Sequence, residues 1–308
     1  MQRDRLIRWL GWALLVVALA APFAIYPVLI MQGLCFALFA AAFNLLIGYG
    51  GLLSFGHAAF FGGAAYITAH TVKVWGFSPE IGILFGVAFA AALGLLFGLI
   101  AIRRQGIYFA MTTLALAQLV YFIFLQAPFT HGEDGIQGVP RGNLFGLIDL
   151  SQPLAMYYFV LALFLAGLGL IHRIIHSPFG QVLKAIRENE PRAMSLGYDV
   201  ARFKLQAFVL SAALAGLAGS IKSLVFQLAS LTDVEWQMSG EVVLMTLLGG
   251  IGTVFGPVVG AFVVSSLANR LATTQLPVTV VTGAVFILCV LAFRRGIVGE
   301  ILHRLARR

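Results

Sequence analysis

Two glycine-rich polar stretches interrupt long apolar runs, and they are the part of the sequence best suited to contact a solute. The first covers residues 44–57 and the second covers residues 249–257. In a bilayer, a broken helix leaves backbone N–H and C=O groups unpaired, which is tolerated only where they line a cavity or are buried in protein. Paired interruptions of this kind indicate a transport pathway. The alternative interpretation is a pair of tight turns at the membrane face, because the sequence does not set their depth.

Polar side chains in and beside these stretches are the candidates for the pathway. A helix that begins near Ser54 presents unpaired N–H groups and a partial positive charge, which suit a carboxylate. His57 is either a solute-contacting or proton-relay group, or a neutral histidine bonded to a freed carbonyl. The predicted pathway residues are Asn44, Tyr49, Ser54, His57, Thr246 and Thr253.

Lys222 is a charged side chain inside an apolar run. We expect it either to extend toward the membrane surface or to pair with Glu241. We place Glu241 in the first turn of the next helix, where a carboxylate suits the positive end of the helix dipole.

A polar segment, residues 173–204, is predicted to hold two short helices. Ser177 and Pro178 are typical of an N-cap followed by proline at the first helical position, and Asn189 to Pro191 predict a second start. An exposed helix pair of this kind suits docking to another protein, and a helix lying on lipid headgroups is the alternative. The candidate docking residues are Ser177, Gly180, Lys184, Arg187, Glu188, Glu190 and Gly197.

Catalytic and metal-binding patterns are not visible in the sequence. A phosphate-binding loop needs glycine and lysine followed by serine or threonine, and none of the four lysines follows a glycine. The six histidines are scattered, and Cys35 and Cys289 lie within apolar runs. We therefore expect a chain that is not an enzyme and that binds no metal or cofactor itself.

Composition and the length of the apolar runs predict an all-α polytopic membrane protein. Hydrophobic residues make up 60% of the chain and charged residues 10%, which a water-exposed globular surface does not accommodate. Crossing the hydrocarbon layer takes about 20 helical residues. Ten crossings are predicted, at residues 8–27, 28–47, 57–75, 81–102, 107–126, 153–172, 205–227, 239–250, 254–270 and 277–293.

The positions of the basic residues predict the orientation. Sixteen of the twenty Lys and Arg residues lie near the N-terminus, at residues 103–104, within 173–204 or near the C-terminus. Lys and Arg are retained on the cytoplasmic side, so both termini are predicted to be cytoplasmic. The segments 76–80, 127–152 and 228–238 then lie outside. This bias accounts for the net charge of +8, and we expect no nucleic-acid partner.

Small residues recur at every fourth position of the predicted fourth span. They are Gly82, Gly86, Ala90, Gly94 and Gly98. A smooth stripe of this kind permits close approach of helices in lipid. We expect it to pack against other helices of the same chain.

Three blocks of the sequence resemble the LivM-type permease subunits of branched-chain amino acid ABC importers. The blocks are residues 44–66, 177–219 and 239–261, and their order and spacing fit along nearly the whole chain. Glu190 to Ala193, followed by Gly197, is similar to a degenerate form of the Glu-Ala-Ala…Gly loop of ABC permeases. Proline and arginine replace part of that pattern, which leaves the register of the second short helix open.

The resemblance implies a single permease domain over residues 1–308, built of two inverted five-span halves as in type II importers. It also implies a multi-pass protein of the bacterial cytoplasmic membrane whose residues 177–197 dock on an ATPase. The implied partners are a second, LivH-like permease subunit, two ABC ATPase subunits that use ATP and Mg²⁺, and an extracytoplasmic solute-binding protein.

Three functions remain open on the sequence alone. The leading one is a permease subunit for branched-chain amino acids, working by alternating access driven by partner ATPases. Related permeases move urea, amides and other small polar solutes, so these are alternative cargoes. A secondary transporter or channel is a different class of function, and it needs a coupling-ion site of its own. A membrane-embedded enzyme is the third possibility, and the sequence lacks the cluster of His, Asp or Glu at one depth that it needs.

Overall fold

A computed structural model describes residues 18–23, 26–272, 280–281, 283–284, 287 and 296–300. Helices dominate these residues, and the four strands among them have two residues each. The elements are α1 (Pro27–Asn44), α2 (His57–Lys73), α3 (Pro79–Ala101), α4 (Ile107–Gln126), β1 (Ile136–Gln137), β2 (Asn143–Leu144), β3 (Ile148–Asp149), α5 (Pro153–His176), α6 (Pro178–Glu188), α7 (Glu190–Ser195), α8 (Val200–Phe226), β4 (Leu228–Ala229), α9 (Trp236–Gly249) and α10 (Gly256–Ala272).

Local sequence explains where several helices begin. Proline opens α1, α3, α5 and α6, because its fixed φ suits the first turn and its missing N–H has no partner there. The side chain of Asp199 accepts a hydrogen bond from Arg202 N at 3.2 Å. This cap starts α8 at Val200, five residues before the predicted span at 205–227.

Eight of the ten predicted spans coincide with helices, to within a few residues at most ends. The predicted spans 8–27 and 277–293 lie mostly outside the described residues, so the total of ten remains a prediction. Within the described part, five helices have the length and composition to cross a membrane: Pro27–Tyr49, Pro79–Ala101, Ile107–Gln126, Pro153–His176 and Val200–Phe226.

The helices form an inner and an outer group. Most residues of α1, α2 and α8 are buried within the protein. By contrast, only about a third of α3 and α4 is buried, and their exposed large side chains are mainly apolar. The outer helices therefore present a surface suited to lipid or to another apolar subunit.

The small-residue stripe of α3 packs against α2 and α8, as predicted. All five of its residues are buried. A Cβ added at Gly94 would lie 2.5 Å from Ala212 Cβ, and one at Gly98 would lie 2.5 Å from Leu205. Gly86 faces Ser220, so α3 runs antiparallel to α8.

This antiparallel arrangement defines two ends of the helix bundle. At the hairpin end, β1 pairs with β4 and β2 pairs with β3, and Lys73 Nζ donates to Gln137 O at 2.6 Å. The opposite end carries the predicted docking segment, residues 173–204, and we call it the coupling end. There α7 is tied to α8 by an ion pair of 2.7 Å between Glu190 and Lys204.

The environment of Lys222 differs from both alternatives that the sequence offered. Lys222 is 9% exposed, and its Nζ lies 2.5 Å from Asp233 Oδ2, so it neither extends to the surface nor pairs with Glu241. Asp233 itself is 2% exposed, and its backbone lies against Gly62 of α2. The chain turns back into the bundle after β4, which neutralises the lysine with a nearby carboxylate.

The start of α9 also differs from the expectation. The helix begins at Trp236, so Glu241 lies in its second turn rather than its first.

Candidate functional site

The two glycine-rich stretches contact each other directly at the coupling end. Asn44 Nδ2 donates to Thr253 O at 2.8 Å, and Asn44 Oδ1 accepts from Gly252 N at 2.9 Å. Tyr49 Oη donates to Gly252 O at 2.9 Å. Two polar side chains of the first stretch therefore hold the backbone of the second.

The first stretch has a wide helical turn followed by irregular chain. Residues Leu45–Tyr49 form a π-helical turn that continues α1, and α2 begins only at His57. A Cβ at Gly48 would lie 2.8 Å from Gly252 N, so a glycine is needed for the two backbones to approach. Since π-turns are frequent at functional sites, this geometry agrees with a functional role.

The second stretch is a tight turn between α9 and α10. Gly252 has φ of +77°, a left-handed conformation that glycine adopts without strain. Thr253 Oγ1 donates to Gly250 O at 2.8 Å and accepts from Gly256 N at 3.0 Å. Thr253 thus closes the turn and caps the start of α10. Thr246 is buried in α9, and its hydroxyl donates to Val242 O at 2.8 Å.

Ser54 and the start of α2 are buried, and three backbone N–H groups there are hydrogen-bonded to side chains. The N–H groups of Phe55, Gly56 and Ala58 donate to Thr113, Ser54 and Ser239, at 3.1, 3.1 and 2.9 Å. These donors, which the sequence hypothesis assigned to a solute carboxylate, are therefore already bonded within the protein. The helix also begins three residues later than the expected start near Ser54.

His57 is a buried residue of the helix core. Its Nε2 lies 2.8 Å from Ser211 Oγ, and Ser211 donates its own hydroxyl proton to Ala42 O at 2.6 Å. Because the hydroxyl proton of Ser211 is directed at Ala42 O, Ser211 Oγ accepts the hydrogen bond from His57. This assigns the ring proton of His57 to Nε2. The rings of Phe43, Phe60 and Phe208 surround the imidazole.

Ser211 was not among the residues singled out from the sequence. A lone serine in an apolar helix gives no signal of its partner, which is 154 positions away.

The predicted docking segment folds as two capped helices. Ser177 Oγ accepts from Gly180 N at 3.3 Å, and Asn189 Oδ1 accepts from Arg192 N at 3.0 Å. Gly180 packs directly on the carbonyl oxygens that end α5. The register of α7, left open by the sequence, is set by the Asn189 cap, and the turn closes where Gly197 N donates to Met194 O at 3.0 Å.

A cleft of about 810 Å³ joins this segment to the two glycine-rich stretches. Arg187 donates a hydrogen bond from Nη1 to Gly48 O. Lys184 Nζ lies 5.6 Å from the centre of the Tyr49 ring. The described lining residues are Gly48, Tyr49, His172, Ile175, His176, Lys184, Arg187, Glu188, Gly252, Thr253, Val254 and Phe255.

Members of the predicted pathway residues and of the predicted docking residues thus share one site. Arg187 and Lys184 of the docking segment contact the first glycine-rich stretch. Of the pathway candidates, Tyr49 and Thr253 line the cleft and Asn44 bonds to its wall. Ser54, His57 and Thr246 lie in the core. The segment is therefore in direct contact with the first of the two breaks in the helices.

A family model described as "Branched-chain amino acid transport system / permease component" matches residues 26–293. The chain belongs to this family. This confirms the resemblance found in the sequence, and the long apolar helices agree with an all-α, multi-pass membrane protein. No solved structure matches the chain.

Relatives of the permease family differ in what their names say they carry. The high-affinity branched-chain amino acid transport system permease protein LivM of Escherichia coli is 29% identical in an alignment covering 81% of this chain and 65% of that protein. The probable LivM of Methanocaldococcus jannaschii is 31% identical over 41% of this chain and 33% of its own length. The xylose transport system permease protein XylH of Escherichia coli is 30% identical over 42% of this chain and 35% of its own length.

Proposed function

We propose that this chain is the transmembrane permease subunit of an ABC importer for branched-chain amino acids. Support comes from its membership of the permease family over residues 26–293 and from the relatives named LivM. The chain spans 65% of the length of the Escherichia coli relative. Its solute and its partners are therefore part of the proposal.

The contact between Arg187 and Gly48 carries the mechanism. In this mechanism, ATPase subunits bind α6 and α7 and move them during their nucleotide cycle. Arg187 transmits that motion to the π-turn, and Asn44 transmits it to Gly252 and Thr253. A junction built from glycines and a π-turn has few side chains to repack, so it is suited to switching between two arrangements.

The solute path runs beside this junction, with Asn44, Tyr49 and Thr253 closest to it. In the proposal, Ser54 and His57 hold the start of α2 in place, and Thr246 holds α9 against α1. The contacts to a passing solute are few, and tight recognition belongs to a solute-binding protein outside the membrane.

The proposed complex contains a second permease subunit, two ABC ATPase subunits and a solute-binding protein. ATP and Mg²⁺ are used by the ATPases, and this chain binds no cofactor. Exposed apolar side chains at the coupling end support the ATPase contact, since Met194 is 53% exposed and Leu196 is 69% exposed. The coupling end then lies on the cytoplasmic side of a bacterial inner membrane, as the arginine distribution predicts.

Uptake by the reconstituted complex tests the proposal. Proteoliposomes that hold the complex, with ATP supplied on the ATPase side, are expected to accumulate labelled leucine when the binding protein is present. Excess unlabelled valine and isoleucine should compete. Competition by urea, amides or xylose instead would assign a different cargo. Uptake that needs no ATP would indicate a secondary transporter or channel.

A further inference from the structure

The hairpin of β2 and β3 carries an unusually apolar tip. Phe145 is 73% exposed, Leu147 is 88% exposed and Ile148 is 51% exposed. Residues 143–148 contain no charged side chain. A cluster of exposed large apolar residues usually marks a contact with another protein or with a membrane.

The hairpin is fixed beside the first turn of α3. Phe145 N donates to Glu80 Oε1 at 3.2 Å. A Cβ at Gly142 would lie 3.2 Å from the ring of Pro79. These two contacts, on either side of β2, place the tip at the level where α3 begins.

The start of α3 has the features of a membrane–water interface. The helix has 23 residues, which is roughly 35 Å and slightly more than the hydrocarbon thickness. Its first outward-facing residues are apolar, with Leu84 68% exposed. The rings of Trp75 and Phe77 pack against Phe85 at 6.1 and 6.3 Å, and aromatic residues of this kind are enriched at the interface.

The base of the hairpin is suited to water, unlike its tip. Asp149 is exposed, and hydrogen bonds from the backbone N–H and then the side chain of Ser151 lower the pKa of its carboxyl group. An ionised carboxylate stays hydrated. The charged base and uncharged tip give the hairpin the polarity of an element that enters a lipid surface from the water.

We propose that residues 145–148 insert into the lipid headgroup region at the hairpin end and anchor the 127–152 segment to the bilayer. The apolar surface of α3 continues from its outward face to the aromatic cluster beside the hairpin, which favours lipid over a soluble partner. The anchored segment also contains β1, which pairs with β4, so the anchor is joined through the chain to the region that closes the bundle at this end.

Spin-label accessibility tests this proposal in the complete complex in proteoliposomes. Cys35 and Cys289 are first replaced by Ala, and Leu147→Cys is labelled. Glu133→Cys, on an exposed residue of the same segment, serves as the matched control. Oxygen partitions into lipid, whereas a nickel chelate stays in water. Oxygen is expected to dominate relaxation at position 147 and the chelate at position 133.

Two results overturn the proposal. If the chelate dominates at position 147 with and without the binding protein, the tip lies in water. If the chelate reaches position 147 until binding protein is added, the tip is a docking site for that protein. Ile148→Cys provides a second position if the first variant fails to assemble, and the same readings apply to it.

Discussion

At the scale of single residues, Asn44 and Arg187 hold the central junction together. The amide of Asn44 uses both its donor and its acceptor across the two stretches, which few side chains of this size can do. Arg187 reaches the same junction from α6 and bonds a carbonyl of the π-turn. The junction therefore combines contacts from three separate parts of the chain.

Replacing Arg187 by Met is expected to uncouple transport from ATP hydrolysis. A hydrogen bond from a charged donor contributes about 1.5–3 kcal/mol. Because Arg187 is exposed, we expect a contribution at the lower end of this range. That free energy corresponds to roughly a tenfold loss of coupling between hydrolysis and uptake. Leucine uptake per ATP hydrolysed should fall by about that factor while the ATPase subunits still bind. Arg187→Lys, which keeps one donor, should retain part of the coupling.

Ala185→Ser is the control for the Arg187 variants, because Ala185 is an exposed residue of the same helix. It should leave the ratio of uptake to hydrolysis unchanged. A wild-type ratio in Arg187→Met would show that α6 acts on the membrane helices through other contacts.

At the scale of helices, close approach of α2, α3 and α8 depends on residues without side chains. Gly219 of α8 lies against the carbonyl group of Phe61 in α2, and Gly216 lies against Ala90 of α3. Lipid supplies no hydrophobic driving force between such helices, so dispersion contacts at short range replace it. Small residues therefore set how closely these three helices approach one another.

Gly219→Ala is expected to destabilise the protein, because the added methyl group would overlap backbone atoms of α2 that cannot rotate away. Overpacking of this kind costs about 1–3 kcal/mol, occasionally more. The measurement is the thermal unfolding midpoint of the purified complex in detergent. Gly169→Ala in α5 is the matched control, because a Cβ there meets no atom within 4 Å. Equal midpoints for the two variants would contradict this account of the packing.

The sequence predicts helices and their faces better than it predicts their contacts. Apolar length, proline starts and the stripe on α3 are local features, and the structure confirms them. The partner of Asn44 lies 209 positions away, and no local pattern indicates it. Both alternatives for Lys222, extension to the surface and pairing with Glu241, were wrong, because the sequence does not reveal that the chain turns back after β4 to bring in Asp233.

At the scale of the whole molecule, the two ends of the bundle have different chemistry. The coupling end has Arg103, Arg104 and the basic residues of the 173–204 segment, together with the cleft. The hairpin end has Glu80, Glu133, Asp134 and Asp149. Because positive residues are retained on the cytoplasmic side, this difference predicts which end faces the cytoplasm.

Cysteine labelling in intact bacterial cells tests the orientation of the bundle. With Cys35 and Cys289 replaced by Ala, single cysteines are introduced at Gln137, at the hairpin end, and at Arg202, whose side chain is 82% exposed at the coupling end. A membrane-impermeant maleimide should label Gln137→Cys in whole cells and label Arg202→Cys only after the membrane is opened. Arg307→Cys, near the C-terminus, should behave like Arg202→Cys if that terminus is cytoplasmic. Labelling of Arg202→Cys in whole cells, with Gln137→Cys protected, would reverse the bundle and place the α6–α7 segment where no cytoplasmic ATPase can reach it.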